Sequence, residues 1–542
     1  MRIPQRVYTI ISEKSSKKVI FMRRIITVML AVILILPLAG CKKGAKTLDN
    51  SSIVVLEDNS DINLAISGIS NLNPLETSSK SVQSIMNIIY EPLFTYDEKI
   101  STVPVLAESY SLSEDGRQMT IKLKDGVKWH DGTNLTAEDV IYTLSKLIHS
   151  KGLYKKTADK ISSFTAISKN EVVINFNKQE LDFSYNLTFP ILSKNTGYVS
   201  GADFVPVGTG AYKLATKSEN EIVLEPNSLW HGDVVPRKKV FIKLLRDSSA
   251  LAETFNVNET DAILSEEAQE AGHAPKSNSQ TKQIVSNNMI FLGFNTQNPR
   301  LLPEVRRAIE LLLDKQAIVE KNAYGYGKVC DISVNPDCWA YESAGLDGYS
   351  QDYTAKLLKH SGYVLENGVY SNGEYTMTLG LIVNADNEEK LAIAYAISEM
   401  LSGTGFDIKV DALDYDSYLS RIDSGNYDMF LGETETDSVI NPLAMLDSAS
   451  NYFGFDASEL KGMMSELYGV SNQERYKKCI KDIAIKFAEN PPYVPLFFTT
   501  MSMYYGSNVS GITQPTLTDR YKDIEKWYFY NTKTEDGDNR GE

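Results

Sequence analysis

The sequence predicts a mixed α/β protein built as two lobes. Three observations predict it. Strand and helix patterns alternate in two separate stretches of the chain. Two dense apolar runs, 289–295 and 494–498, sit where a chain would cross from one lobe to the other. The length of 542 residues and a 42% hydrophobic share provide for two to four domains with real cores.

The first stretch opens with an apolar strand at 53–56 and a turn at Asn73-Pro74-Leu75. A helix is predicted over 82–94, ending near Glu91-Pro92. The alternation at 119–123 and the run 127–129, separated by Asp125-Gly126, predict a hairpin. Thr136 with Asp139 forms an acidic variant of the capping box for a helix with Val140, Leu144 and Leu147 on one face. Strands follow at 171–176, 212–214, 221–225 and 240–245, with a helix at 250–257. The second stretch begins with Pro303, which opens a helix expected to run through 318 with Arg306 and Arg307 on its outer face. Helices at 352–360, 388–401, 415–423 and 472–488 alternate with strands at 375–383, 407–410 and 427–431.

The N-terminus is an address. Arg23 and Arg24 precede an apolar stretch at 25–38, then Leu38-Ala39-Gly40-Cys41. This is a secretory signal layout, too short to favour a spanning helix. Residues 1–40 form the signal, with Met22 able to start it and 1–21 adding nothing a signal needs. Cys41 is the lipidation candidate, because the quartet resembles a bacterial lipobox. Residues 41–52 are a polar tether and 532–542 a polar tail. Residues 1–40 hold seven of the 55 Lys+Arg and one of the 70 Asp+Glu, so the remaining 502 carry 48 against 69, a net −21. So acidic a body argues against a nucleic-acid partner, since phosphate binding draws on Lys and Arg.

Motifs for catalysis are missing. There is no G-x-S-x-G elbow, H-E-x-x-H, Walker loop or EF-hand pattern. The five His are scattered, so neither a metal nor another cofactor is expected. Cys330 and Cys338 flank Asn335-Pro336 closely enough for a loop-stapling disulfide in an exported protein, or can remain thiols. Cys479 lies in a helical pattern and is expected to be a lone buried thiol.

A dense set of motifs resembles the extracytoplasmic solute-binding proteins, family 5, of oligopeptide and dipeptide ABC importers. Tyr90-Glu91-Pro92-Leu93-Phe94, Leu123-Lys124-Asp125-Gly126-Val127-Lys128-Trp129-His130-Asp131-Gly132 and Leu135-Thr136-Ala137-Glu138-Asp139-Val140 carry it. So do Gly208-Thr209-Gly210-Ala211-Tyr212, Gly293-Phe294-Asn295, Gly425-Asn426-Tyr427-Asp428-Met429 and Val494-Pro495-Leu496-Phe497. The Trp129-His130-Asp131-Gly132 signature is turn chemistry and is expected to be structural.

The resemblance implies a two-lobed periplasmic-binding-protein-like fold of type II, in the large peptide-binding cluster. Lobe I would comprise 53–80, 201–289 and 498–531, with an extra subdomain at 81–200; lobe II would be 290–497. It implies a non-enzymatic monomer that closes over a peptide and delivers it to an ABC permease and its ATPase. The protein would be held at the outer face of the bacterial cytoplasmic membrane by lipid on Cys41. Another small solute (a nickel chelate, sugar or opine) or a peptide pheromone is the alternative ligand, and a secreted hydrolase a third reading. In the family's peptide binders a carboxylate after the late Tyr-Asp-Met block fixes the ligand amine, in a Trp-x-Ala-Asp-Tyr-like segment. Here that segment is Gly432-Glu433-Thr434-Glu435-Thr436-Asp437: the Trp is absent and Asp437 is displaced by one residue. Asp437 or Glu435 can supply the acid, or both are solvated loop residues. Phe497 and Phe498 match an aromatic wall position, or are hinge-strand core. Ser78 and Ser79 fall in a rim segment aligned with ligand-backbone contacts.

Overall fold

A computed structural model describes residues 54–533, apart from 59, 68–70, 198–200, 202–203, 266–278, 346–349, 437–439, 447–451 and 469–471. The signal, Cys41 and the tether therefore lie outside the described residues, as does the tail beyond 533. The body Leu56–Asn531 groups as one unit.

Its frame is an 11-stranded sheet shared by both halves of the molecule. At its centre two long strands, Ser279–Phe294 and Tyr493–Gly506, pair antiparallel from Ser279 opposite Gly506 to Gly293 opposite Tyr493. The apolar runs at 289–295 and 494–498 are thus parts of longer crossing strands. On one side lie Ala262–Ser265, Ile62–Ser67 and Val240–Leu245, the last two pairs parallel. On the other lie Met429–Glu435, Thr378–Asn384 and Asp407–Leu413, with Glu388–Ser402 as the crossover helix between the latter two. Parallel neighbours need such crossovers, which is why the second stretch alternates helix and strand.

The pairing of the crossing strands is broken twice. Registers shift between Val285 and Met289, and again between Ile290 and Phe291. At the second shift Pro495 sits opposite Phe291 while Phe497 sits opposite Ile290, so Leu496 is the extra residue. A bulge is where a central strand tolerates a proline, which has no N–H to give. At the first, buried Asn335 donates from Nδ2 to Val285 O (3.2 Å), Ser286 O (2.9 Å) and Asn287 Oδ1 (3.3 Å). Ser286 and Thr499 hydroxyls meet at 2.7 Å across the same break. Side-chain groups thereby replace the ladder bonds that the irregular backbone forgoes.

Three large cores fill the body. One joins the Ile62–Ser67 half to the segment 82–192 and returns through Met503 to Phe529; the other two lie mainly within 285–498, one of them also taking in Tyr96 and Ile100. The segment 82–192 carries its own four-stranded sheet, ordered Ala107–Leu112, Gln118–Leu123, Glu171–Phe176, Ile161–Ser168.

The structure departs from three local expectations. The stretch 127–129 does not form a hairpin with 118–123; it holds one isolated bridge, Lys128 opposite Asn134, because 118–123 is already paired on both edges. The helix opened by Pro303 ends at Leu311, and Asp314 caps a second one, Lys315–Asn322, accepting from Ala317 N–H at 2.9 Å. Arg306 is not on an outer face. It is buried, donating to Pro491 O at 2.8 Å and to Asn490 Oδ1, and so ties the end of helix Gln473–Glu489 to the start of the second crossing strand. Burial lowers its guanidinium to about 10.

The expected capping box at Thr136 is present, with Thr136 N–H donating to Asp139 Oδ2 at 2.8 Å. The Trp129-His130-Asp131-Gly132 signature also has a structural account. Trp129 is fully buried. His130 N–H donates to Gly208 O (2.9 Å), Gly208 N–H donates to His130 Nδ1 (3.1 Å), and Nε2–H reaches Gly210 O (3.2 Å). Since Nδ1 accepts, the ring is the neutral Nε2–H tautomer. Both glycines are required, because a Cβ at Gly208 would lie 1.9 Å from Ile89 O and one at Gly210 2.6 Å from Ile88 O. The two motifs thus clasp each other against the helix Lys80–Ile89.

Burial, ahead of all else, pushes the His130 imidazolium from 6.5 down to about 4. Its contribution to stability is therefore complete above about pH 6.5 and lost as pH falls through 4. His130→Gln should destabilise the protein by about 1–3 kcal/mol at pH 7. The gap to wild type in thermal unfolding should narrow as pH falls from 7 to 4; a pH-independent gap would contradict the neutral clasp.

Candidate functional site

A cleft with two adjoining cavities lies where the crossing strands leave one half for the other. The first, about 550 Å³, is floored by aromatic side chains. Phe291 from the first crossing strand packs edge-on to Phe430 at 5.6 Å, and Phe453 stacks on Phe430 at 5.9 Å. All three are nearly fully buried, so the floor is preformed. Gly432 makes this packing possible: a Cβ there would stand 2.5 Å from Phe291 Cζ. Tyr418, Leu419 and Ile422, from the helix Tyr415–Asp423, form a side wall. Tyr418 is anchored by its hydroxyl, which donates to Leu431 O at 2.8 Å.

The second cavity, about 510 Å³, has a basic lining. Lys80 and Gln83 from Lys80–Ile89, the segment 152–157, and Thr518 and Arg520 form one wall. Ser286 and Asn287, at the break in the first crossing strand, with Glu435 and Thr436 form the other. Lys156, Glu435 and Thr436 line both cavities and mark their junction.

The strand Met429–Glu435 ends at that junction. It pairs with the first crossing strand along its whole length, but with Thr378–Asn384 only at Met429 and Phe430. Thr436 N–H donates to Asn287 O at 3.0 Å, so even-numbered residues address the crossing strand. Alternate residues in an antiparallel ladder point their main-chain groups to opposite sides. The main chains of Leu431, Glu433 and Glu435 therefore face away from the crossing strand, along a segment that lines the aromatic cavity.

Ion pairs cover both acids of this segment. Glu433 pairs with Lys390 of the crossover helix at 2.6 Å. Glu435 pairs with Lys80 at 3.3 Å, a contact that bridges the cleft. Away from both cavities, Trp339 N–H donates to Lys99 O (2.7 Å) and Trp339 Nε1–H to Tyr185 OH (2.5 Å).

Of the residues singled out from sequence, Glu435 is in the cleft. Asp437 lies outside the described residues. Ser79 caps the helix Lys80–Ile89, accepting from Val82 N–H at 3.3 Å, and Ser78 is exposed; the cavity wall begins at the next residue, Lys80. Phe497 and Phe498 are fully buried and enter two different cores rather than lining either cavity. The Phe497 ring occupies the space a Cβ at Gly327 would need. The disulfide allowed at Cys330 and Cys338 is not formed. Cys330 N–H is held by Leu496 O of the second crossing strand, whereas Cys338 sits in its own turn, receiving Ala340 N–H at 3.5 Å. Burial raises both thiols, Cys338 to about 12, so each stays protonated. Cys479 is a free, half-buried thiol. Lys80, Lys156 and Lys390 were not anticipated, because a lysine beside a helix start carries no sequence signal of what it crosses to. Among the described residues, no group of three or more His, Cys, Asp or Glu is placed to hold a metal ion.

A sheet shared by two lobes, with a cavity-lined cleft where its central strands cross, defines a two-lobed binding protein. The comparisons name the class further. Residues 101–455 match the model for bacterial extracellular solute-binding proteins, family 5, and the chain belongs to that family. The oligopeptide-binding protein AppA of Bacillus subtilis is 25% identical over 93% of this chain and 99% of its own. The nickel-binding periplasmic protein of Escherichia coli is 22% identical over 77% of this chain and 84% of its own. Among solved structures, the periplasmic murein tripeptide binding protein MppA in its unliganded open form superposes with a TM-score of 0.72 at 20% identity, covering 89% of this chain and 99% of that one. The protein is a substrate-binding protein of ABC importers, in an extracytoplasmic and non-catalytic family.

Gly432→Val forces a branched side chain into the Phe291 ring. It should lower stability by about 1–3 kcal/mol by overpacking and remove ligand binding, as read by unfolding and calorimetry. Unchanged values for both would show that the aromatic floor yields.

Proposed function

We propose that this protein captures oligopeptides or dipeptides in the cleft and hands them to an ABC permease. The free side of Glu433–Glu435, beyond the pairing with Thr378–Asn384 and the Tyr418 bond to Leu431 O, carries the reading. An extended peptide can add there as a strand, its main chain bonded to Glu433 and Glu435 while an apolar side chain enters the aromatic cavity. An ammonium beside Glu435, or beside Asp437 next along the chain, would be a charge-assisted contact. The name of the Bacillus subtilis relative supports a peptide ligand. The name of the Escherichia coli relative supports the second reading, another small solute on the same frame.

The lobe boundaries given above and the monomeric state belong to the same proposal, as does anchorage at the outer membrane face through Cys41. Among the described residues no helix is long and apolar enough to cross a membrane. Lipid on Cys41 would supply the anchor.

Peptide pools should raise the unfolding temperature of the purified protein. At a hundredfold excess over Kd the native state gains about 2.7 kcal/mol. Absence of any shift with peptides, alongside a shift with a nickel chelate or sugar, would move the assignment to the second reading. Cys41→Ser should release the protein from the membrane fraction into the medium or periplasm; retention would remove the lipid anchor.

A further inference from the structure

The turn 97–101 and the loop 335–341 join the two halves of the molecule outside the cavities. The short strands Phe94–Tyr96 and Thr102–Pro104 pair antiparallel and project that turn from the segment 82–192. Phe94 belongs to the core of that segment. Tyr96 and Ile100 are buried instead in a core of the other half, which also holds Cys338, Ala340 and Tyr476. Trp339 receives them. Its N–H donates to Lys99 O at 2.7 Å, its indole Nε1–H donates to Tyr185 OH at 2.5 Å, and its ring packs on Tyr476 at 5.2 Å. Tyr185 is in turn held by Tyr96, whose hydroxyl donates to Tyr185 O at 2.6 Å. Tyr96 lines the basic cavity, whereas Lys99, Ile100, Tyr185 and Trp339 line neither cavity.

Two features set this contact apart from ordinary packing. Ile100 has φ +53°, a left-handed backbone that a β-branched residue rarely adopts. Asp97 Oδ1 supports the turn, accepting from Lys99 N–H and Ser101 N–H at 2.8 Å each. Such strain persists only where the surroundings hold it. The second feature is the bracing of the loop 335–341. Asn335 grips Val285 O and Ser286 O at the break in the first crossing strand, and Cys338 N–H donates to Asn335 O at 2.8 Å. A short braced loop therefore ties the turn to the place where the central ladder is interrupted, and interrupted ladders are where strands bend.

We propose that the turn 97–101 and Trp339 form a ligand-independent latch, which holds the two halves together with the cleft empty and so lengthens the stay of any solute captured there. Trp339 is then a positioning residue: it sets the solute's residence time without touching the solute. A ligand that binds the joined arrangement loses apparent affinity in proportion to the molecules in other arrangements. The latch reduces that loss before a ligand arrives. Parting the halves exposes Ile100 and the Trp339 ring and breaks two hydrogen bonds together, which holds the latch shut. It also frees Ile100 to relax, which keeps the latch reversible. This goes beyond the peptide assignment, because it holds for any solute and rests only on two halves that move about the crossing strands.

The test compares wild type, Trp339→Ala and Tyr185→Phe, each purified and stripped of bound solute. Tyr185→Phe removes one hydroxyl and keeps the ring, so it decides the matter if the larger truncation disturbs the loop. Small-angle X-ray scattering of the ligand-free proteins should show wild type compact and both variants expanded, Trp339→Ala the more so. Amide hydrogen exchange at 97–101 and 335–341 should quicken about tenfold in Trp339→Ala, with Ser279–Phe294 unchanged. Dissociation of a tripeptide pool from immobilised protein should quicken about tenfold, with association within about twofold of wild type. Identical scattering and exchange in all three proteins would overturn the latch. Exchange that quickens equally in the crossing strands would overturn it as a loss of fold. Expansion with unchanged dissociation would remove Trp339 from the control of residence time. A pool that binds none of the three proteins counts against the peptide reading alone, since scattering and exchange decide the latch.

Discussion

The antiparallel pairing of Ser279–Phe294 with Tyr493–Gly506 is the constraint on which the rest of the molecule depends. These strands are the middle of one sheet, with the Ile62–Ser67 group on one flank and the Met429–Glu435 group on the other. Both halves inherit their orientation from this ladder. Its two breaks matter as much as its continuity. A regular ladder would bury residues 286–288 in pairing. The shift held by Asn335 instead turns Ser286, Asn287 and Asn288 towards the cavities. The Pro495 bulge brings Phe497 opposite Ile290, inside one core, and Phe498 opposite Met289, inside another.

The cleft combines two kinds of surface with different physics. Its aromatic floor is rigid because Phe291, Phe430, Phe453 and Tyr493 pack on one another before any ligand arrives. Such a surface favours apolar bulk and discriminates weakly by orientation. The rim is ionic, exposed and exchangeable, so it supplies direction and choice between partners more than raw affinity. Lys390 with Glu433 lies within one side of the rim, whereas Lys80 with Glu435 spans it. Charges that span a cleft respond to what enters it.

Much of the frame was legible. The helices at 388–401 and 415–423 and the alternation around them emerge at nearly the observed bounds, because apolar residues recur at helical spacing and caps such as Asn387 and Asp414 are local. Where the reading failed, a partner distant in sequence had decided. Arg306 looks solvent-facing on a helical wheel, yet Asn490 and Pro491 bury it. Residues 127–129 look like a strand, yet both edges of 118–123 are taken. Phe497 and Phe498 could be read as pocket wall or as hinge-strand core, and the structure places both in cores. The motif Gly208-Thr209-Gly210 shows a need for glycine; that His130 supplies the other half of the clasp is visible in three dimensions alone.

By itself the sequence determined the family, the α/β alternation and the two crossing runs. These depend on periodicity, turn chemistry and motif order, which are local properties of the chain. Tertiary structure decided which part of Met429–Glu435 is left unpaired on one side, which rings make the floor, and that Glu435 faces Lys80. Those outcomes depend on register shifts and on contacts between residues hundreds of positions apart. A register shift of one residue turns a side chain from core to cleft, and no local pattern encodes where that shift falls.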